Sequence, residues 1–376
     1  MKKILIYYPF PLRKSISGSA VRANKMIEAF SKFAKERNLE LIKVVGSSSE
    51  RKKIIKSIYK SIDPRDVLFC YVESSTLPLW LTDNDHIPRH PFVDWKFLRY
   101  LKKNNIPIGL FYRDIYWKFN DHFPFKGLTR WIMKILYRIE LAIFKKYVDR
   151  FFLPSIEMNK YLGLSENIII TLPPGGELLV NQIEKKIGRD DEILNVIYVG
   201  GINKRYGLDL LLETFDKVNK DNILAKLYLV CREKDYKVNK NTFKPYVKKT
   251  WLKVLHAYGE HLKPIYENAD IAIIPMRRTV YNNFAVPVKL FEYISYGLPI
   301  IATNCEAQAR IIKEFQLGII VKDNSEALAD GIRYFLDKNK LLFYKKSVNK
   351  ALRENHLWAH RVQKVYLSLI NMKDSP

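Results

Sequence analysis

Three stretches of this 376-residue chain concentrate residue types that could hold an anion or a polyol. The first runs Asn282-Asn283-Phe284-Ala285-Val286-Pro287-Val288-Lys289-Leu290-Phe291-Glu292 and continues through Gly297 and Pro299 to Thr303. Pro287 suits the first turn of a helix and Gly297 its end, and Pro299 to Thr303 reads as the next strand. The loop before such a helix presents backbone N–H groups at the positive end of the helix dipole, which suits a diphosphate. Glu292, about one and a half turns in, can accept two hydrogen bonds from vicinal hydroxyls such as those of a ribose. The plain alternative is a strand–helix–strand corner with a Lys289–Glu292 surface pair one turn apart.

The second stretch is Ile197-Tyr198-Val199-Gly200-Gly201-Ile202-Asn203-Lys204-Arg205-Tyr206-Gly207 followed by a leucine-rich helical pattern. Gly200 and Gly201 allow close approach of an anion, and Lys204 and Arg205 supply charge to it. The third stretch places Arg113-Asp114-Ile115-Tyr116-Trp117 at the carboxyl end of the strand Ile108–Tyr112. Polar groups thus stand at that strand end, where Asp114 can pair with Arg113 or cap a helix. Asp83-Asn84-Asp85 has the form of a metal motif, yet it follows no clear strand and reads as a surface turn. The seven histidines are scattered, so no metal site is expected.

These residues need a scaffold, and the pattern around them supplies one. In the first half, apolar runs at Lys3–Tyr8, Leu39–Val45, Asp66–Val72 and Pro107–Tyr112 alternate with helical patterns at Ala20–Lys35, Glu50–Ser61 and Asp94–Lys103, and short strands follow at Arg150–Leu153 and Asn167–Leu172. Strands without polar alternation, separated by helices, predict a parallel sheet covered on both faces. The same alternation restarts after Pro173-Pro174-Gly175-Gly176, with strands at Asn195–Gly200, Ala225–Cys231, Trp251–Leu255, Asp270–Pro275, Pro299–Thr303 and Gly318–Val321. The expected fold is therefore α/β, with two Rossmann-like doubly wound domains facing each other across a cleft. The boundaries read as 1–176 for the first domain, 177–192 for a linker, 193–352 for the second domain, and 353–376 for a helix crossing back towards the first. A helix from about Leu128 to Val148 carries Arg130, Lys134 and Arg138 four residues apart, with Trp131, Ile132, Ile135 and Ile139 on neighbouring faces. Segment 126–150 predicts either docking on an anionic membrane surface or a helix that packs its apolar stripe on the sheet.

Composition narrows the setting. The formal net charge of +25 draws in polyanions, unless it reflects only a lysine-rich genome. No nucleic-acid-binding module is recognisable, so nucleic acid is not an expected partner. The apolar run after Met1 is too short for a signal peptide, and none is long enough to span a membrane. With Cys70, Cys231 and Cys305 reading as core thiols, a cytoplasmic protein is expected, at most peripheral at the inner face of the membrane.

The run Pro-x-Lys-Leu-Phe-Glu-Tyr-x-x-x-Gly-x-Pro-Ile-Ile-Ala, Pro287 to Ala302, resembles the donor-binding segment of family 4 retaining glycosyltransferases and their GT-B relatives. The resemblance implies a hexosyltransferase that uses a nucleotide-diphosphate sugar, needs no cofactor or metal, and acts on a glycan or lipid-linked acceptor in surface polysaccharide or glycolipid synthesis. It assigns Glu292 to the nucleotide ribose, and the main chain of Ala285, Val286, Pro287 and Val288 to the phosphates and donor sugar, with Lys289 beside them. Relatives carry an earlier glutamate where this chain has Phe284, which leaves Asn282 or Asn283 to bind a sugar hydroxyl. Gly201 and Tyr206 stand where relatives carry diphosphate-clamping cations, so Lys204 and Arg205 are the expected substitutes. The resemblance also places the Ser17-Gly18-Ser19 loop in the cleft, Asp114 on the acceptor hydroxyl, and His256 and Tyr258 on the loop lining the nucleotide base. Its front-side mechanism lets the leaving phosphate take the acceptor proton; an inverting enzyme would need a base, for which Asp114 is the first candidate. Other readings are a GT-B-fold nucleotide-sugar epimerase and a non-enzymatic polyanion-binding protein.

Overall fold

A computed structural model describes residues 1–12, 18–179 and 193–372, with nothing said of the side chains of 18–20. Two parallel six-stranded sheets are present, each inside its own compact unit. One unit comprises Met1–Pro173 and Trp358–Pro376; the other is Pro174–Leu357.

In the first unit the strands are β1 (Lys3–Tyr8), β2 (Glu40–Val45), β3 (Val67–Glu73), β4 (Ile108–Phe111), β5 (Arg150–Leu153) and β6 (Ile169–Thr171), in the order β2-β1-β3-β4-β5-β6. β1, β3 and β4 are buried over nearly their whole length, as expected of strands covered on both faces. Helices Gly18–Glu36, Ser48–Ser61, Val93–Lys103 and Gly127–Tyr147 fill the crossovers. The last helix of the chain, Trp358–Ile370, belongs here, with Val362, Val365 and Leu369 fully buried in the core of Phe30, Phe69 and Phe152. Asn84 and Asp85 form an exposed turn as expected, whereas Asp83 is a correction. It is 6% exposed and accepts from both the backbone N–H and the hydroxyl of Ser48 at 2.6 Å, at the first residue of the helix that Ser47 caps.

The second unit holds β7 (Leu194–Val199), β8 (Ala225–Val230), β9 (Leu252–Leu255), β10 (Ile271–Ile274), β11 (Ile300–Thr303) and β12 (Gly318–Val321), in the order β12-β11-β10-β7-β8-β9. Renumbered from its own first strand, this is the 3-2-1-4-5-6 order of dinucleotide-binding sheets. The first sheet has the order 2-1-3-4-5-6, so its direction of winding reverses between β1 and β3, whereas the second reverses between β7 and β10. The sequence patterns located all twelve strands to within two residues, but they could not give this lateral order.

The Pro/Gly segment is packed where the structure describes it. Gly176 N–H donates to His356 O at 2.6 Å, and Glu177 N–H donates to Ser295 Oγ. A side chain at Gly176 would collide with Ser295 and Leu352. Residues 180–192, most of the predicted linker, lie outside the described residues. Among the described residues, no helix is long and apolar enough to cross a membrane.

Candidate active site

Open α/β sheets bind ligands beyond the carboxyl ends of their strands, where the winding reverses. In the second unit that point lies between Val199 and Ile274. β7 ends at Gly200 and Gly201, and Asn203 then caps a short turn, Lys204–Tyr206, by accepting from Tyr206 N–H. Gly207 closes the turn at φ +76°, where a side chain would strike the carbonyl oxygen of Pro275 just past β10. Only glycine fits both demands, so the Lys204-Arg205 turn is locked against the end of β10.

Asn282 joins the two sides of this point. Fully buried, it donates through Nδ2 to Arg277 O at 2.7 Å and Arg205 O at 3.3 Å, and its Oδ1 accepts from Arg205 Nε at 3.1 Å. Arg205 also lies over the Tyr281 ring, 4.2 Å from its centroid. Arg277 pairs with Asp209 at 2.9 Å. Lys204, Arg205, Arg277 and Arg278 thus gather on one strand edge, as an anion site requires. Lys204 is exposed and Arg205 half-buried.

The second wall is the helix Val288–Ser295, whose Tyr293 hydroxyl accepts from Val199 N–H at 2.9 Å at the end of β7. Pro287 stands at its N-cap, one residue earlier than the sequence suggested, and Gly297 at φ +67° follows its end. Glu292 is about one-third exposed, as is Lys289, and the two pair at 2.5 Å. The Tyr266 and Tyr296 rings stack at 4.4 Å in its neighbourhood. Burial first, and the Glu292 carboxylate second, push the Tyr296 hydroxyl up to about 12.

The candidates for the donor sugar separate here. Phe284 is buried against Tyr281, and Asn282 spends its amide on Arg205 and Arg277. Asn283 donates to Glu306 Oε1 at 3.2 Å, while its own carbonyl Oδ1 is buried and finds no partner among the described residues. Glu306, at the start of a helix after β11, was missed in the sequence because no local motif marks it; only the fold brings it to Asn283. Of the base-loop candidates, His256 Nδ1 lies 2.9 Å from Cys231 O, the geometry of a packed histidine, while Tyr258 is 73% exposed.

In the first unit, the reversal between β1 and β3 holds a buried charge cluster. Glu73, at the end of β3 and fully buried, faces Arg22 Nε at 3.3 Å and accepts from Arg113 at 3.0 Å and from the Tyr71 hydroxyl at 2.9 Å. Arg22 lies 3.5 Å from the Phe111 ring centroid. Arg361, from the last helix, is lowered to about 9 by burial and by the nearby Arg22 charge. Glu73 was also missed, since a carboxylate inside an apolar strand carries no motif. Asp114 accepts from Ile115 and Tyr116 N–H through Oδ1 at 2.7 and 3.0 Å, just ahead of the turn Tyr116–Lys118. Gly18 opens the first helix; Ser17 and the loop before it lie outside the described residues. No group of three or more metal-ligating side chains occurs among the described residues.

With this geometry in place, residues 194–338 match the family model described as glycosyl transferases group 1. No curated protein matches the chain. Among solved structures, the chain is similar over all of both chains to a sucrose-phosphate synthase from Thermosynechococcus elongatus, at 16% identity and TM-score 0.65. A glycosyltransferase from Rickettsia africae, again fully covered on both sides, matches at 14% and 0.64. Anabaena HepE, solved in complex with UDP-glucose, matches at 10% and 0.62 over 99% of this chain and 100% of its own. The fold is the two-domain α/β fold of GT-B glycosyltransferases. The family model falls wholly within the second unit.

Proposed function

We propose that this chain transfers a hexose-type sugar from a nucleotide-diphosphate sugar to a glycan or lipid-linked acceptor, with retention, in the assembly of a surface polysaccharide or glycolipid. The observation that carries the reading is the meeting, at one reversal point inside the matched domain, of the Gly200-Gly201 turn, the Lys204/Arg205 cations and the helix bearing Glu292. A UDP-sugar in the Anabaena neighbour, and UDP-2-fluoro glucose in the trehalose-6-phosphate enzyme from E. coli, support a donor of this class.

The main chain of Ala285 to Val288 faces the diphosphate and donor sugar at the helix start, with the N–H groups of Ala285, Val286 and Val288 as donors and Lys289 beside them. Glu292 accepts from the ribose hydroxyls, and the Asn283 carbonyl accepts from a sugar hydroxyl. Lys204 and Arg205 stabilise charge on the departing diphosphate, which in turn takes the proton of the acceptor hydroxyl. Asp114 orients that hydroxyl, and Gly18 allows the nucleotide sugar close approach. With charge met by these cations, transfer needs no metal, so activity should survive a chelator; loss restored by Mg2+ would count against this part. On this reading the protein works in the cytoplasm, at most peripheral at the inner face of the membrane.

Incubating the chain with a panel of nucleotide sugars, first alone and then with lipid extracts or oligosaccharides, tests the reading. Donor consumption that requires an acceptor and yields a glycosylated product is expected. Conversion of the donor sugar without any acceptor would reassign the site to epimerisation.

A further inference from the structure

The helix Gly127–Tyr147 has three distinct faces. Met133, Tyr137, Glu140, Leu141, Phe144 and Tyr147 are buried. On the opposite side Leu128, Trp131, Ile132 and Ile139 are 72%, 63%, 44% and 46% exposed, so the apolar stripe seen in the sequence faces outward and does not pack on the sheet. Roughly a quarter turn round the helix from that stripe stand Lys134, Arg138 and Lys145. With Lys118 they line a pocket of about 410 Å³ whose walls include Trp117 and Leu141.

Four cations line this pocket. Lys118 donates to Tyr161 O at 2.5 Å, Lys134 to Asn120 Oδ1 at 2.8 Å and Lys145 to Leu162 O at 3.2 Å. Among the described residues, none of the four pairs with a carboxylate. Burial, then repulsion from Lys145 and Arg138, holds Lys118 below the usual lysine range, as expected where like charges share a site unneutralised. A row of large exposed apolar side chains beside a basic pocket matches one kind of surface: headgroup phosphates above an acyl layer. A soluble anion would leave the apolar row without a partner.

We propose that the Lys118/Lys134/Arg138/Lys145 pocket binds the headgroup phosphate of an anionic phospholipid while Leu128, Trp131, Ile132 and Ile139 enter the acyl boundary. The site differs from the donor site and makes no use of it, so it can be tested without donor or acceptor. Flotation of the full chain with phosphatidylcholine vesicles, with and without phosphatidylglycerol, is the measurement. Wild type should float only with phosphatidylglycerol present. Lys134→Gln with Arg138→Gln should cut partitioning by roughly fivefold per cation removed, and Trp131→Ser with Ile132→Ser by about tenfold or more. Exposed lysines of the other unit serve as a control: Lys220→Gln with Lys234→Gln should leave flotation unchanged. All these positions are exposed or half-buried, and circular dichroism confirms folding of each variant. Equal losses in the control pair, or full flotation of the Trp131/Ile132 variant, would overturn the proposal in favour of diffuse attraction. Stabilisation by inorganic phosphate that depends on Arg138, without vesicle binding, would reassign the pocket to a soluble phosphate. Tighter retention on an oligonucleotide than on anionic vesicles would likewise overturn a lipid role.

Discussion

Arg205 shows what single residues disclosed in the sequence and what they hid. Its charge beside two glycines was legible as an anion site, but its partner was not, because Asn282 lies far along the chain and reaches it only through the fold. Replacing Lys204 and Arg205 together with Gln should lower turnover by about 100-fold or more if they stabilise the departing diphosphate; steady-state kinetics with unchanged turnover would remove that role. Gly207 makes a separate prediction about stability. Its φ of +76° and the Pro275 carbonyl leave no room for a side chain. Gly207→Ala should therefore destabilise the second unit by about 1–3 kcal/mol in urea unfolding. Phe284 turned attention to its asparagine neighbours, but nothing local showed that Asn283, with Glu306 beside it, would hold the open acceptor.

At the scale of elements, strand and helix bounds followed from apolar runs and Pro/Gly punctuation, whereas facing did not. The Gly127–Tyr147 helix has apolar residues at helical spacing on two sides, so periodicity alone could not say which stripe meets the sheet. The buried side also carries Glu140, which accepts from Leu79 N–H at 3.0 Å and is lifted by burial to about 8. The folded chain thus retains a proton that the unfolded chain releases near pH ~4.3. The stability this contributes is complete below that pH and is lost as pH rises through about 8. Glu140→Gln should raise the melting temperature by roughly 3–10 °C above pH 8, with the gap closing below pH 5. A constant gap at all pH values would refute the buried-proton assignment.

For the whole molecule, two α/β units and a returning C-terminal helix were legible from repetition of the strand–helix pattern. The lateral strand orders were not, because pairing partners leave no local trace. These orders place the Glu73–Arg22–Arg113 cluster at the reversal of one sheet and the Arg205–Asn282–Arg277 cluster at that of the other. Truncation after Leu357 should unfold the first unit. Losing Val362, Val365 and Leu369 forfeits about 1.5–3 kcal/mol for each buried side chain, comparable with the whole stability of a domain. Limited proteolysis should then degrade the first unit while the second persists; equal resistance of both would contradict it.

The most direct measurement is calorimetric titration of a nucleotide-diphosphate sugar into the wild-type chain and into Glu292→Ala. Hydrogen bonds to a charged group contribute about 1.5–3 kcal/mol, so the variant should bind at least tenfold more weakly while melting at nearly the same temperature. Equal affinity in the two proteins would contradict the assignment of Glu292 to the donor and the site built around it.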